Sequence, residues 1–411
     1  MSATRLIVIV FAAQLFAQIG ANAVPALLPI FIDAWDLSHT KAGWLIGVWG
    51  GAYVLAVPVL VSLTDRIDAK KIYLVSVSLM TLTHIGYALF ADGFWTAFFL
   101  RALAGICWAG TYMPGLKVLS DRLEGPAQTR GVSWHAAGVG LSAALSFLIS
   151  GLMSDWLGWH WAFAVAGVCS AIAFVLMWMG VPARAPIAVQ PRHQRPALLD
   201  FRPVIKNRSA FSYSLAYCAH GWEMFAFSSW AVTFLTFIAV SSGGSSDSLG
   251  PTSVAFAMGV LATWSSVAGN EFCIRFGRQR VIKLIMLSTI AVALTIGLVS
   301  AMGYGVAIVL CVIYGSLIYG DSSALTAGAS GNAEPGQRGA TLAVHSTLGH
   351  LGGFIGPLVV GVILDLAGGE SVFGWTLAFG HLAIVIIAGF AAIAYFKPKD
   401  LPGDHRVHGT E

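Results

Sequence analysis

His220 and Glu223 lie three residues apart in the stretch CAHGWEMF, and their types and spacing suggest chemistry. At that separation two side chains share one face of a helix and can approach each other. A carboxyl group among apolar neighbours favours its neutral form, so it can take up and release a proton near neutral pH. Arg101 opens RALAGICWAG inside another apolar run. An ionised side chain at the centre of a bilayer costs about 2.5–3.5 kcal/mol even on insertion scales, so such residues need a use or a partner. Each has a packing role open to it: a neutral Glu as a tie between helices, an Arg bonded to backbone carbonyls.

Weaker candidates surround these. Gln14, Gln18 and Asn22 recur every four residues and form one polar stripe. Amides facing lipid are costly, so the stripe must face other helices or a watery cavity. Asp321 falls about one turn from the inner end of its apolar run, where it can meet water. Trp108, Tyr112, Trp222 and Tyr314 could sandwich an organic substrate or simply fill the core. His135, His345 and His350 read as hydrogen-bonded ties between helices, and His84 as structural. Lys117 is placed to snorkel to the inner surface. The cysteines Cys107, Cys169, Cys218, Cys273 and Cys311 are scattered through apolar runs without metal spacing and read as small buried hydrophobes. No metal or cofactor is expected.

The elements that position these residues follow from composition. Hydrophobic residues make up 57% of the 411 and charged residues 10%, against about 25% charged in a soluble domain. Apolar runs repeatedly reach the roughly 20 residues that span a bilayer as helix. Twelve are placed, at 5–32, 42–63, 71–91, 94–119, 130–153, 160–181, 209–240, 252–272, 281–302, 304–327, 338–366 and 374–396. A spanning barrel would show alternating polarity in roughly 10-residue pieces, and the sequence lacks that pattern. The chain therefore reads as an all-α integral membrane protein. With the amino terminus inside, all but two of the 23 Lys and Arg, Lys41 and Arg101, fall at inner ends or loops. That is the positive-inside asymmetry, so the net charge of +4 is a topology signal, and no nucleic-acid partner is expected. Both termini are expected in the cytoplasm, with the chain multi-pass in the inner membrane. Ala21-Asn22-Ala23 has the look of a signal-peptide cleavage site. Cleavage there would leave eleven spans and put the new amino terminus outside, so an intact first span is expected.

One polar stretch divides the spans six and six. Pro182 to Arg208 carries six Lys or Arg and five Pro and reads as a linker on the inner membrane surface. The expected organisation is an amino-terminal bundle over 1–181, a linker over 182–208, and a carboxy-terminal bundle with a short tail over 209–411. Echoes relate the halves. GWHWAF at Gly158 returns as GWTLAF at Gly374, Arg130-Gly131 as Arg338-Gly339, and DRIDAKK from Asp65 as IRFGRQR from Ile274. Three echoes in one order, at offsets of 208, 209 and 216 residues, imply a duplicated six-helix unit. Six helices per copy make the repeat parallel, about an axis along the membrane normal.

In these loops and this frame, the chain resembles the major facilitator superfamily over its whole length. The superfamily's signature between helices 2 and 3 is Gly-x-x-x-Asp-Arg-x-Gly-Arg-Lys/Arg. This sequence keeps Asp65, Arg66 and Lys70, with Val61, Asp68 and Ala69 where the family prefers Gly, Gly and Arg. The second copy keeps Arg275, Gly277 and Arg278, with Ile274 in place of the acid. The resemblance implies that helices 1, 4, 7 and 10 line a central cavity. The Gln14–Gln18–Asn22 stripe, Arg101, Glu223 and Asp321 fall on those four helices respectively. It also implies that an arginine on helix 4 couples protons or holds an anion. Asp65 and Arg66 read as a conformational latch, since an acid at the inner end of helix 2 can meet the positive amino-terminal end of helix 11 near Arg338. Gly138, Ser142, Ser146 and Ser150, and Gly349, Gly353, Pro357 and Gly361, form faces where helices can approach closely and slide.

These features lead to a secondary active transporter of a small organic solute, an organic anion or amphiphilic metabolite, working by alternating access and driven by protons, as a monomer. Glu223, helped by His220, is the expected coupling group, and Arg101 the expected partner of a substrate carboxylate or a coupling residue. The alternative within the class is an efflux antiporter for hydrophobic compounds. That reading meets a departure: the Gly-Pro of the antiporter branch belongs on helix 5, and here Gly356-Pro357 lies on helix 11. A channel or an intramembrane enzyme is the alternative from another class. G-x-x-x-x-G-K-[ST], H-E-x-x-H and G-x-S-x-G are all missing from the sequence, so neither ATP as a direct driver nor an enzyme is expected.

Overall fold

The computed structural model describes residues 2–64, 66–183, 201–243, 249–335, 337–401 and 404. Fifteen α-helices follow in order: α1 (Ala3–Ala17), α2 (Ala23–Ala34), α3 (His39–Leu63), α4 (Ala69–Phe90), α5 (Phe94–Ser120), α6 (Gly125–Leu157), α7 (Trp159–Gly180), α8 (Arg202–Lys206), α9 (Arg208–Ser241), α10 (Pro251–Phe276), α11 (Arg278–Val299), α12 (Tyr304–Tyr319), α13 (Ser322–Gly331), α14 (Arg338–Leu366) and α15 (Val372–Phe396). Among the described residues eleven helical stretches are long and apolar enough to cross a membrane, with α12 and α13 counted as one. The chain is a multi-pass helical membrane protein.

Two expected spans are broken. The run 5–32 divides into α1 and α2, because the polar residues at its middle bond elsewhere. The Asn22 backbone N–H donates to Ser146 Oγ (2.9 Å) and its side-chain amide to the Ala143 carbonyl (3.0 Å). The Ala21 carbonyl accepts from Arg101 Nη1 at 3.0 Å. Between the two pieces the backbone closes tight i→i+3 turns from Ala21 to Gln18 and from Ala23 to Gly20. The second break, at Gly320–Asp321, separates α12 from α13. The small residues of SSALTAGASG continue the helix to Gly331, so Asp321 does not lie one turn from the end. It is buried some ten residues deep, about 15 Å at 1.5 Å per residue.

The helices form two compact units. One holds Met1–Leu27 and Val48–Leu199, and the other holds Leu28–Gly47 and Asp200–Glu411, each through its described residues. The stretch 28–47 thus packs with the later half of the chain. In the first unit α4 lies between α5 and α7, and α1 against α6 and α7. Its core gathers Leu6, Val10, Tyr73, Val77, Val118 and Met177. Lys70 donates to the Trp178 carbonyl (2.9 Å) and to that of Val181, closing the end of α7. Asp68 pairs with Arg122 at 3.0 Å.

In the second unit α9 and α14 meet backbone to backbone. A Cβ on Gly352 would stand 2.4 Å from the Cys218 carbonyl oxygen, and one on Gly221 2.3 Å from that of Gly349. The small residues of α14 therefore set this contact. Farther along, Gly361 admits the His39 backbone. The Asp365 carboxylate there accepts the His39 and Thr40 backbone N–H groups (2.9 and 2.8 Å), capping α3. At the turn echoing the first unit's signature, the acid absent at Ile274 comes from the tail. Asp404 takes Arg278 in two hydrogen bonds of 3.0 Å, and both side chains are 2% exposed.

Candidate functional site

In the first unit the polar stripe of α1 resolves into three environments. Asn22 ties the helix break to α6, as above. Gln18 Nε2 donates to Thr111 Oγ1 on α5 at 3.3 Å. Gln14 is fully buried, and neither its amide nitrogen nor its amide oxygen has a partner among the described residues. Arg101 stands on α5 beside the break. It is 5% exposed, its Nη1 holds the Ala21 carbonyl, and its guanidinium carbon lies 5.3 Å from the centre of the Trp49 ring. Its Nε has no partner among the described residues. Arg101, Trp49, Gln18, His84 and Met80 line a small cavity of about 10 Å³, room for roughly one water. The packing role foreseen for this arginine, holding a backbone carbonyl, is present, and its buried Nε–H is not used by it.

Trp108 stacks on Trp49 with centroids 4.1 Å apart, and Tyr112 stacks on His135 at 5.6 Å. His135 Nε2 lies 3.0 Å from the Tyr112 carbonyl. His84 packs 6.5 Å from Phe163. Lys117, partly exposed, pairs with Asp121 at 3.1 Å.

In the second unit Glu223, on α9, is 2% exposed and accepts a hydrogen bond from the Tyr314 hydroxyl of α12 at 2.9 Å. His220 does not pair with Glu223. Its Nδ1 lies 2.9 Å from Asp321 Oδ1, without the alignment of a hydrogen bond. The break between α12 and α13 brings Asp321 there, and spacing along α9 could not reveal a partner on another helix. Glu223 lies three residues from His220 on the same face of α9, and His220 meets Asp321, so the two acids and the imidazole fall in one buried cluster. Tyr217 extends it: its ring stacks on His220 at 5.2 Å and on His345 at 3.9 Å. His345 Nε2 lies 3.1 Å from Thr326 Oγ1. Tyr217 and Thr326 were not among the sequence candidates, although Tyr217, His220 and Glu223 recur every three residues on one face of α9, which was a readable signal.

Other candidates lie apart from this cluster. Trp222 donates from Nε1 to His381 Nε2 at 3.0 Å. His350 Nδ1 lies 2.8 Å from its own helix's Ser346 carbonyl. Of the expected latch, Arg66 and Arg338 are exposed, and Asp65 lies outside the described residues.

Comparison with known proteins gives three findings. The family model described as Major Facilitator Superfamily matches residues 10–357. Protein spinster homolog 1 of Bos taurus is 23% identical over 220 residues, which are 52% of this chain and 42% of that relative. The MFS-type transporter YybF of Bacillus subtilis is 27% identical over 161 residues, 39% of each chain. The chain thus matches less than half the length of these relatives. Among solved structures, a bacterial homolog of the human lysosomal transporter spinster, in an inward-facing and unoccupied conformation, superposes with a TM-score of 0.75 at 15% identity. The match covers 96% of each chain. The nucleoside transporter NupG gives 0.73 at 16% identity, covering 97% of this chain and all of that one.

Proposed function

The chain belongs to the Major Facilitator Superfamily, and from that membership we propose that it is a proton-coupled secondary transporter of a small organic solute. One observation carries the proton coupling. Glu223 and Asp321 are buried in a single cluster with one imidazole, His220, and among the described residues no Lys or Arg pairs with either acid. Two carboxylates cannot both stay ionised in such a place with at most one cation to balance them. At least one must therefore hold a proton while the cluster is dry, and can lose it when water reaches the cluster. That is the property a coupling site needs.

Glu223 carries the coupling proton. The Tyr314 hydroxyl donates to its carboxylate, and His220 and Asp321 stand beside it in the same cluster. The helix breaks at 18–22 and 320–321 supply backbone groups at membrane depth, the feature by which transporters build binding sites in spans. Arg101, with its free Nε, takes an acceptor group of the solute. The two units exchange access to the site between the two sides of the membrane.

The test begins with a thermal-shift screen of metabolites on the purified chain, repeated with Arg101→Ala and Glu223→Gln. A stabilising solute is then taken into proteoliposomes for counterflow. A carrier accumulates label against an unlabelled outward gradient, which a channel cannot do. Ligands that stabilise both variants as they do the parent would remove these residues from the site, and flux without counterflow would remove the carrier reading.

A further inference from the structure

His39 opens α3 with both nitrogens of its ring turned to carboxylates. Nδ1 lies 2.9 Å from Asp365 Oδ1 on α14, and Nε2 lies 3.5 Å from Glu370 Oε1 in the turn before α15. Asp365 is fixed independently of the ring, because it also accepts the His39 and Thr40 backbone N–H groups. A neutral imidazole carries one N–H, and its other nitrogen is an acceptor. With Nδ1 donating to Asp365, a neutral ring would aim a lone pair at the Glu370 carboxylate. Only the imidazolium satisfies both contacts, and the two flanking carboxylates favour that form over the neutral ring. The other charges of this segment, Asp36 and Lys41, are exposed, and α9 presents the uncharged Trp230 ring at 6.3 Å.

The start of α3 meets α14 through backbone. A Cβ on Gly43 would stand 2.8 Å from the Pro357 carbonyl oxygen, one on Gly47 2.4 Å from that of Phe354, and one on Gly361 2.1 Å from that of His39. Faces of small residues pack closely and can slide. The bonds of Asp365 and the reach of Glu370 pin the end of this one. Glu370 is delivered by the turn that ends α14. There Gly368 and Gly369 take left-handed conformations (φ 86° and 102°), and the Gly369 N–H returns to the Leu364 carbonyl at 2.8 Å. The ring and the two acids are 15%, 30% and 25% exposed, and they lie ahead of the apolar run 42–63, so protons can reach them from solvent.

We propose that His39, with Asp365 and Glu370, is a second proton-binding site, which when protonated clamps the start of α3 to α14 and to the start of α15. The site is separate from the Glu223 cluster and goes beyond the transport reading. In the topology expected from charge it lies on the outer face, opposite the linker. When the proton leaves, the bonds from Asp365 to the backbone remain and the Glu370 arm is lost. The clamp is therefore complete on the acid side and loosens as pH rises. Histidine is the side chain whose ordinary charge change falls between about pH 5 and 8. The pH of the outer medium thus sets how firmly the end of α3 is held.

The test is amide hydrogen exchange on the full-length chain in detergent at about pH 5.5 and about pH 8, corrected for intrinsic exchange. Both carboxylates stay ionised at either value. In the parent, segment 37–47 should be roughly tenfold more protected at the lower pH, while segment 69–90 on α4 should show no such change. Glu370→Gln and His39→Gln should both remove the difference and hold segment 37–47 at the parent's high-pH level. Equal protection of the parent at the two values, a change of the same size in 69–90, or a Glu370→Gln variant that keeps the parent's difference would overturn the site. Glu370→Gln preserves the shape of a partly exposed side chain, so a folding defect cannot shield the proposal. No solute enters this measurement, so the Glu223 reading stands or falls separately, by counterflow and gradient-driven accumulation.

Discussion

Breaking the Arg278–Asp404 pair should destabilise the protein, and removing both charges should restore part of the loss. The Arg278 guanidinium makes four hydrogen bonds: two to Asp404 at 3.0 Å, one to Asn270 Oδ1 at 2.9 Å and one to the Ala324 carbonyl at 3.1 Å. Asp404→Ala leaves Nε and Nη2 without acceptors on a side chain that is 2% exposed. An unpaired buried charge of that kind costs about 3–5 kcal/mol. Arg278→Met leaves the Asp404 carboxylate with the Leu401 N–H (2.9 Å) as its recorded donor, and should cost a similar amount unless the tail releases into water. The double variant Arg278→Met, Asp404→Leu replaces the pair by apolar groups of similar volume, which is commonly neutral or stabilising. Asn270 Oδ1 and the Ala324 carbonyl lose their Arg278 donor in it, so it should unfold about 1–3 kcal/mol below the parent, and the coupling in the cycle should still reach several kcal/mol. Tryptophan-monitored unfolding of the four proteins in the same detergent reads this directly. A loss below about 1 kcal/mol for Asp404→Ala, or additive single effects, would refute the buried clasp.

Two further outcomes follow from close contacts. Gly352→Ala places a methyl 2.4 Å from the Cys218 carbonyl oxygen and should cost about 1–3 kcal/mol by prising α9 from α14. Gly339→Ala on the same helix meets nothing within 4 Å and should be neutral or slightly stabilising; thermal unfolding distinguishes the two. Ser146→Ala strands the Asn22 N–H in the helix break and should cost about 1–3 kcal/mol. Ser142→Ala, whose hydroxyl returns to its own helix at Val139, should change the midpoint little, and equal losses from both serines would contradict the structure of the break.

The spans were legible because hydropathy over 20 residues decides whether a helix can cross a bilayer, and the echoes at Arg130 and Arg338 revealed the duplication. The break in the first span was not. Gln14, Gln18 and Asn22 read as one face of an unbroken helix, but the partners that divide it, Arg101, Ala143 and Ser146, lie 80 to 124 residues away. The depth of Asp321 was hidden by the small residues after it, which look like the end of a span and instead form α13. His220 and Glu223 were found by spacing. Their separate partners, Asp321 and Tyr314, came from α12 and the break after it, which no pattern along α9 contains. The absence of an acid at Ile274 was visible, but its replacement by Asp404 depended on how the tail folds back.

The central claim is that Glu223 carries the proton whose movement drives transport. The most direct measurement is accumulation of an identified solute in proteoliposomes under an imposed pH gradient, compared with counterflow at equal pH, for the parent and Glu223→Gln. The variant, held permanently neutral, should retain counterflow and lose gradient-driven accumulation. Accumulation in Glu223→Gln equal to that of the parent would contradict the claim.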